Sequence, residues 1–454
     1  MIDVSLAEIA SWAGSTCPAG YERVMIDDVC KDSRTARPGS LFVPLPGTHF
    51  DGHDFLAAAA AGGASAALCA RDGTTLDIPL LRVSHVLSAY QAIAAGYRDR
   101  FSPLVVGITG SVGKTTTALM TAAVLGSRYC LLKTEEDSNG QIGLPFALFH
   151  LAPEHEAAVL EMGMSQPGEL ARLTRVACPD IAIINSIGTA HIEFFGTREN
   201  ICKAKLEILD GLRPGGRIVL NGDEPLLWEK RGTLGFETLY YGLHNPDVDL
   251  CAKVVGVEDG ATVFDARYRD AVRRIRLPAI GEHHVSNALA AILAGVCAGI
   301  DFPSAAAAVE RYQPAHGRQN IYEIKGITVI NDSYNASPEA VCASLEVLKS
   351  LPARRRFAVL GGMLELGEYT QEGHERCGRC AAASADFLFT YGGDAYLAGA
   401  RSAGMDEAHI ASYSTHEALV HRLLNEVKRG DAVLFKGSHG MHMDVALSLF
   451  QKEL

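Results

Sequence analysis

The sequence predicts an α/β fold whose parallel sheets are distributed over three domains. Short apolar runs recur along the chain, and most of them end abruptly in glycine, asparagine or threonine. Helical patterns lie between these runs, as expected for repeated strand–helix–strand units. Such runs are typical of buried parallel strands, whose carboxyl ends open into functional loops. The clearest runs are residues 104–109, 181–185, 217–221, 327–331, 357–361 and 432–436.

The chain has 454 residues, which suggests two to four domains at roughly 100–200 residues per domain. Residues 1–84 contain a segment punctuated by glycine and proline, and residues 85–313 hold the longest series of strand and helix patterns. Residues 314–454 form a further α/β pattern of the Rossmann-like type. We therefore expect three domains with these boundaries.

The charge of the chain argues against one large class of function. The net charge is −12, from 41 basic and 53 acidic residues, and no block of lysine and arginine stands out. Nucleic-acid binding usually needs a basic surface, so we expect none here. An anionic substrate must therefore be captured locally, by loops and helix ends.

The first residues lack the basic and apolar regions of a signal peptide. The most apolar stretches are too short and too interrupted to span a membrane, so we expect a cytoplasmic protein without a membrane span. Cys377 and Cys380 form a close pair, but no second pair completes a zinc site. We expect both to be thiols on a helix surface in a reducing compartment.

A glycine-rich turn predicts a phosphate-binding loop. It follows the apolar run 104–109 and precedes a helical pattern at 117–126, so backbone N–H groups at a helix N-terminus would face phosphate oxygens. Lys114 would neutralise the β- and γ-phosphates and Thr115 would ligate Mg²⁺. The usual first glycine is replaced by Ile108. The predicted loop residues are Thr109, Gly110, Ser111, Val112, Gly113, Lys114, Thr115 and Thr116.

Two further runs end in polar side chains that belong at the same edge of the sheet. Glu161 ends one run, and His191 lies in the loop after residues 181–185. A carboxylate is the kind of oxygen ligand that Mg²⁺ prefers. A histidine is a less obvious Mg²⁺ ligand, and taken alone His191 would more often be a structural loop residue.

Lys205 strengthens the prediction of a metal site. In the helical pattern 199–213 it lies on the same stripe as Ile201 and Ile208, whereas Lys203 faces elsewhere. Burial of an amine lowers its pKa, and a neutral amine can react with CO₂ to form a carbamate. Such a carbamate would bind Mg²⁺ beside His191. The alternative is a lysine that extends its ammonium group to water.

These residues, in this order, resemble the Mur ligase family over nearly the whole chain. Residues 107–116 resemble the family's phosphate loop, including the missing glycine, and Glu161, His191 and Lys205 match its magnesium site. The resemblance implies that Lys205 is carbamylated. The segment 281–291 resembles the family helix whose asparagine, here Asn287, approaches the nucleotide.

Three other segments resemble the family members that add D-alanyl-D-alanine to UDP-N-acetylmuramoyl-tripeptide. They are residues 32–53, 331–338 and 360–367, with a further motif at 436–441. In relatives the first segment belongs to the domain that holds the UDP end of the substrate. Folate-polyglutamate ligases share the central site but lack this first set.

The resemblance implies an ATP-dependent ligase with two Mg²⁺ ions, one held by Thr115 and Glu161 and the other by His191 and carbamylated Lys205. Arg318 would stabilise the γ-phosphate charge, or it forms an ordinary salt bridge between domains. Asp332 would approach the ATP ribose, or it helps to cap the helix that starts near Pro338.

The expected substrate-binding residues are less certain in their roles. Ser33 and Arg34 would contact uracil or diphosphate, with stabilisation of a turn as the alternative reading. Asn139 and Asn335 complete the predicted set of substrate-binding residues.

Four positions depart from the family pattern, namely Gly140, His284, Gly362 and His439. Because of these departures, the sequence does not define the pocket for the incoming amine or the identity of the dipeptide. The alternatives to the dipeptide ligase are a folate-polyglutamate ligase and a phosphate-loop ATPase switch. We expect a monomer, and the third residue of the tripeptide cannot be deduced from the sequence.

Overall fold

The computed structural model of the chain describes residues 1, 3–47, 50–132, 134 and 138–454. The chain forms two compact units, each assembled from several segments. Unit 1 comprises Met1–Thr109, Leu125–Ile183 and Leu206–Ile218. Unit 2 comprises Gly110–Val124, Ile184–Lys205 and Val219–Leu454.

The strands confirm the predicted apolar runs. In chain order they are β1 (Val4–Ser5), β2 (Met25–Ile26), β3 (Asp28–Cys30), β4 (Ser40–Phe42), β5 (Ala66–Cys69), β6 (Leu80–Arg82), β7 (Leu104–Thr109), β8 (Leu131–Leu132), β9 (Ala157–Glu161), β10 (Ile181–Ile184), β11 (Arg217–Asn221), β12 (Glu237–Gly242), β13 (Leu250–Glu258), β14 (Ala261–Tyr268), β15 (Ala271–Leu277), β16 (Asn320–Ile324), β17 (Ile327–Asp332), β18 (Arg356–Gly361), β19 (Phe387–Tyr391), β20 (Ile410–Tyr413) and β21 (Ala432–Lys436).

The α-helices lie mostly between these strands, as the sequence predicts for an α/β fold. They are α1 (Leu6–Trp12), α2 (Leu56–Ala61), α3 (Val86–Arg98), α4 (Lys114–Leu125), α5 (Gly143–Leu148), α6 (Glu169–Ala177), α7 (Ile192–Phe195), α8 (Arg198–Leu206), α9 (Pro225–Trp228), α10 (Glu282–Cys297), α11 (Phe302–Val309), α12 (Pro338–Ser350), α13 (Thr370–Ser384), α14 (Asp394–Ser402), α15 (His416–Glu426) and α16 (Met443–Glu453). Among the described residues, none of the helices has the length and apolarity that crossing a membrane requires.

Unit 1 contains a short antiparallel pair, β1 with β2, and two sets of parallel strands. Strands β3, β4, β5 and β6 form a parallel sheet in that order, and a core that includes Phe42 and Leu56 packs against it. Strand β7 pairs in parallel with β9, and β9 pairs in parallel with β8. The register of β7 on β9 places Ile108 opposite Glu161, so both strands end at the same level.

Unit 2 contains an antiparallel meander of β13, β14 and β15 and a sheet of six strands. The order of the six is β16-β17-β21-β18-β19-β20, in which only β16 is antiparallel to its neighbour. The register places Lys436 opposite both Asp332 and Leu360. The loops that follow β17, β21 and β18 therefore begin side by side, where α/β proteins bind their ligands.

The helix that bears Lys205 ends earlier than the sequence predicts. Helix α8 ends at Leu206 and a 3₁₀ turn, Glu207–Gly211, replaces the rest of the predicted helix. In unit 1, the Glu207 carboxylate accepts hydrogen bonds from the backbone of Gly168, and Thr174 donates to the carbonyl of Ile208. These tertiary contacts compete with the regular helical hydrogen bonds.

The prediction for the cysteine pair is wrong. Cys377 is fully buried, and its thiol donates to the carbonyl of Pro338. Cys380 is bonded to Cys342 in a disulfide, with the two Cα atoms 5.8 Å apart. The sequence did not indicate this pairing, because Cys342 lies on α12 and Cys380 on the neighbouring α13.

Candidate active site

The glycine-rich turn has the geometry of a phosphate-binding loop. Helix α4 begins at Lys114, directly after the turn, and Gly113 has a φ of +83°. A Cβ at Gly113 would lie 2.6 Å from Oδ1 of Asn287, and a Cβ at Gly110 would clash with the side chain of Asn185. Both positions therefore lack space for a side chain. Gly113 also needs the backbone conformation that glycine adopts most readily.

Neighbouring side chains hold the turn in place. The backbone N–H of Ser111 donates to the carbonyl of Ser186 at 3.0 Å, and that of Val112 donates to the Ser186 hydroxyl at 2.9 Å. The Lys114 ammonium donates to the carbonyl of Gly110 at 3.1 Å. The Ser111 hydroxyl is buried and has no hydrogen-bond partner among the described residues. An orphaned buried donor at a helix N-terminus fits an anionic ligand such as phosphate.

Helix α10 packs against the first turn of α4 through a buried polar contact. The Thr117 hydroxyl donates to Oδ1 of Asn287 at 3.2 Å and accepts from the amide of Asn185 at 3.1 Å. The structure thus places Asn287 next to the phosphate loop, and its approach to the nucleotide stays a prediction. Asn185, which sequence reasoning missed, completes this contact from the end of β10.

Lys205 lies on the buried face of its helix, as predicted. Its side chain is only 3% exposed, Ile201 and Ile208 are buried beside it in the chain, and Lys203 is exposed. Burial, followed by the positive charge of Lys114, holds the pKa of Lys205 well below its usual value. This excludes the alternative in which Lys205 extends its ammonium group to water.

His191 is located in the same cluster of unit 2. Burial lowers the pKa of His191, and the charges of Lys114 and Lys205 act in the same direction. Nδ1 of His191 lies 2.5 Å from a carboxylate oxygen of Glu365, whose charge opposes that shift. The structure therefore brings Lys114, His191 and Lys205 together. It also adds Glu365, to which the sequence assigned no role.

Glu161 and Asn139 meet in unit 1. The Asn139 amide donates to Oε1 of Glu161 at 2.8 Å, and its carbonyl accepts from the backbone of Gly163. Thr109, also in unit 1, has a buried hydroxyl without a hydrogen-bond partner among the described residues. Asn139 is thus positioned to orient the predicted metal ligand, an arrangement typical of metal sites.

The predicted ribose-binding residue lies in a dense polar network. Asp332 accepts from the Lys436 ammonium at 2.6 Å and from the Ser344 hydroxyl at 2.5 Å. The Lys436 ammonium also donates to the carbonyl of Asn335 at 3.0 Å. The N-cap of α12 is Ser337, as the sequence predicts, so Asp332 is not the cap itself.

Arg318 stacks on an aromatic ring. Its guanidinium lies 4.0 Å from the centre of the Tyr334 ring. This cation–π contact accounts for the orientation of the Arg318 side chain without an ion pair. The backbone of the next residue, Gln319, donates to Asp332 at 3.2 Å. Arg318 and Asp332 therefore belong to the same part of unit 2.

Ser33 and Arg34 show the contacts of a stabilised turn. They lie in the 3₁₀ turn Ser33–Thr35, and Asp32 accepts hydrogen bonds from both the backbone and the guanidinium of Arg34. The same contacts lower the pKa of Asp32 to about 2. Both residues belong to unit 1.

The chain matches three Mur ligase family models. Residues 26–98 match the Mur ligase family catalytic domain, residues 108–295 the Mur ligase middle domain, and residues 317–439 the Mur ligase glutamate ligase domain. With these matches and the fold, the chain belongs to the Mur ligase family, as its sequence predicted, and it is an ATP-dependent ligase.

Three relatives with high similarity over nearly the whole chain belong to one branch of that family, the MurF ligases. The chain is 35% identical to the UDP-N-acetylmuramoyl-tripeptide–D-alanyl-D-alanine ligase of Bacillus subtilis, over 98% of this chain and 97% of the relative. It is similar to the crystal structure of MurF from Acinetobacter baumannii, with a TM-score of 0.91, 27% identity and 99% of both chains covered. It is also similar to the MurF ligase of Thermotoga maritima in complex with ADP, with a TM-score of 0.83, 31% identity and coverage of 94% and 97%.

Proposed function

We propose that this chain joins D-alanyl-D-alanine to UDP-N-acetylmuramoyl-tripeptide at the expense of ATP, in the synthesis of peptidoglycan precursors. The observation that carries the proposal is the likeness to the Bacillus subtilis ligase, because it extends over almost all of both chains. The proximity of Lys114, His191 and Lys205 also supports the proposal, because it offers one cation for the phosphates and two groups that could bind a metal ion.

The reaction must first activate a carboxylate. An amine does not displace oxide from a carboxylate, whereas transfer of the γ-phosphoryl group of ATP creates an acyl phosphate with a good leaving group. This transfer depends mainly on positioning and on neutralisation of charge. Lys114 supplies a positive charge at the phosphate loop, and Arg318 supplies a second one. The dipeptide amine then attacks the acyl carbon, forms the amide bond and releases phosphate.

The residues present fit a magnesium site. Lys114 and the buried Lys205 repel when both are charged, and a carbamate on Lys205 would convert that repulsion into attraction. The carbamate forms when the neutral amine attacks CO₂ and releases one proton.

When bound, Mg²⁺ neutralises phosphate charge and orients the reacting oxygens. His191 and carbamylated Lys205 are the proposed ligands of one ion. For the other ion, the ligands predicted from the sequence are Thr115 and Glu161. Asn287 and Asp332 are assigned to the nucleotide, and Ser33, Arg34, Asn139 and Asn335 to the remaining substrate contacts.

Three further statements from the sequence stay predictions. They are the domain boundaries 1–84, 85–313 and 314–454, the monomeric state and the cytoplasmic location.

A coupled assay of ADP release tests the proposed function. We expect ADP only when UDP-N-acetylmuramoyl-tripeptide and D-alanyl-D-alanine are both present, and a product whose mass is their sum less one water. Tripeptides that differ in the third residue define the acceptor range. ADP release with folate and glutamate instead would favour the folate-polyglutamate alternative. ADP release with neither substrate would favour an ATPase switch.

A further inference from the structure

The loop between β10 and α7 carries His191. Its backbone is unusual there, because His191 has a φ of +62° although it is not glycine. Non-glycine residues adopt this left-handed conformation infrequently, and it persists where surrounding contacts hold it. The contacts that other segments make with this loop therefore bear on its conformation.

Glu365 provides such a contact from the loop after β18. Its Oε2 lies 2.5 Å from Nδ1 of His191, a close ion-pair contact that lacks the alignment of a hydrogen bond. Its carbonyl oxygen accepts a hydrogen bond of 3.4 Å from the backbone of Glu193. Glu365 itself has a φ of +60°. The next glycine, Gly367, is packed so closely against Glu193 that a Cβ there would lie 3.1 Å from its side chain. The two loops are thus in contact through both side-chain and backbone atoms.

A second glutamate holds the other side of the His191 loop. Glu339, in the first turn of α12, accepts from the Thr189 hydroxyl at 3.1 and 3.2 Å. A Cβ at Gly188 would lie 3.0 Å from the same carboxylate. Residues from the last third of the chain therefore fix the loop both before and after His191.

The arrangement of Glu365 and His191 has a specific chemical consequence. When Nδ1 of an imidazole faces a carboxylate, Nδ1 carries the proton and Nε2 keeps its lone pair for a metal ion. The carboxylate also fixes the rotation of the ring. Exposed ion pairs contribute little to stability, so orientation of the ring is the more important effect of this contact.

We propose that Glu365 is a positioning residue, which holds His191 so that its Nε2 faces the metal ion. The proposal rests on the proposed function, because that function makes His191 a metal ligand. It adds that the final α/β domain completes the metal site through Glu365. Glu365 itself contacts neither substrate nor metal in this scheme.

Binding of Mn²⁺ in the presence of a non-hydrolysable ATP analogue tests this proposal without turnover. Electron paramagnetic resonance reports free and bound Mn²⁺ for the full-length chain. We expect Glu365→Ala to weaken binding by about 10- to 100-fold, the usual effect of removing a carboxylate behind a histidine ligand. Glu365→Gln keeps an oxygen acceptor, so we expect a smaller loss. Kinetically, the apparent KM for Mg²⁺ rises more than kcat falls.

The matched control is Glu368→Gln, which removes the same charge from an exposed position three residues away. We expect Mn²⁺ affinity and thermal unfolding of this variant to match the wild type. Unchanged Mn²⁺ affinity in Glu365→Ala, with affinity lost in His191→Ala, would overturn the positioning role and leave the proposed function intact. Unchanged affinity in His191→Ala would overturn the positioning role together with the ligand assignment. A wild-type chain without ligase activity would instead contradict the proposed function.

Discussion

Lys114 and Lys205 lie close enough in unit 2 for the charge of one to lower the pKa of the other. Lys205 is also shielded from water, so its protonated form would place two positive charges together in a poorly solvated site. A bound phosphate group would relieve this repulsion at Lys114, and the proposed carbamate would relieve it at Lys205. The pair therefore connects nucleotide binding with the chemistry of the buried amine.

Loss of the Lys205 side chain is expected to abolish the reaction without unfolding the chain. We predict that Lys205→Ala lowers kcat by about a hundredfold or more, the scale of losing one electrostatic group from an active site. Added acetate or another short carboxylate restores part of the rate, because it replaces the lost carbamate. Lys203→Ala, an exposed lysine on the same helix, keeps the wild-type rate. A folded Lys205→Ala variant that no carboxylate rescues would speak against the carbamate.

The lowered pKa of Lys205 also predicts a pH dependence of stability. Between the folded-state pKa and the unfolded value near 10.5, the unfolded chain binds one more proton than the folded chain. The free energy of unfolding therefore rises with pH in this window, by up to about 1.4 kcal/mol per pH unit. Lys205→Met removes this dependence and is more stable than the wild type at pH 7.

Thermal unfolding at several pH values in CO₂-free buffer measures this effect. The difference in Tm between Lys205→Met and the wild type should shrink steadily as the pH approaches 10. Parallel pH profiles for the two proteins would show that Lys205 is not buried as a neutral amine.

How far the sequence could predict this site depends on the distance over which the residues interact. The spacing of Ile201, Lys205 and Ile208 was enough to place Lys205 on the apolar stripe of its helix, because helical periodicity is local. It did not decide between a buried amine and an ammonium group that reaches water. The contact between His191 and Glu365 was not predictable, since the two residues are far apart in the chain and only the fold brings them together. For Arg34, the local Asp32 contact explains its orientation, and no local pattern separates a stabilised turn from a ligand contact.

The contact between Glu339 and Thr189 is expected to support the His191 loop. We predict that Glu339→Ala and Thr189→Val each lower activity and that their effects are not additive. A double-mutant cycle should give a coupling energy of about 0.5–3 kcal/mol, the range for residues in direct contact. Glu346→Ala, on the exposed face of α12, serves as the control and should show no coupling with Thr189→Val. Strictly additive effects of the first pair would indicate that the two residues act separately.

Gly362 occupies a position where the family commonly has aspartate, and the structure gives a steric reason. A Cβ at Gly362 would lie 2.5 Å from the carbonyl oxygen of Gly392. We predict that Gly362→Asp lowers the free energy of unfolding by about 1–3 kcal/mol, as is usual for overpacking. Gly256→Ala is the control, because a Cβ there meets no atom within 4 Å. Equal stability of both variants in urea unfolding would contradict the steric explanation.

The central claim is that ATP activates the carboxylate of the tripeptide, and transfer of oxygen isotope tests it most directly. The tripeptide is labelled with ¹⁸O in its terminal carboxylate and incubated with ATP, Mg²⁺ and D-alanyl-D-alanine. We predict that each amide bond formed transfers one ¹⁸O atom into inorganic phosphate, as required when an acyl phosphate breaks down. Phosphate without label, released at the same rate as ADP, would show that water attacks ATP directly and would contradict the account.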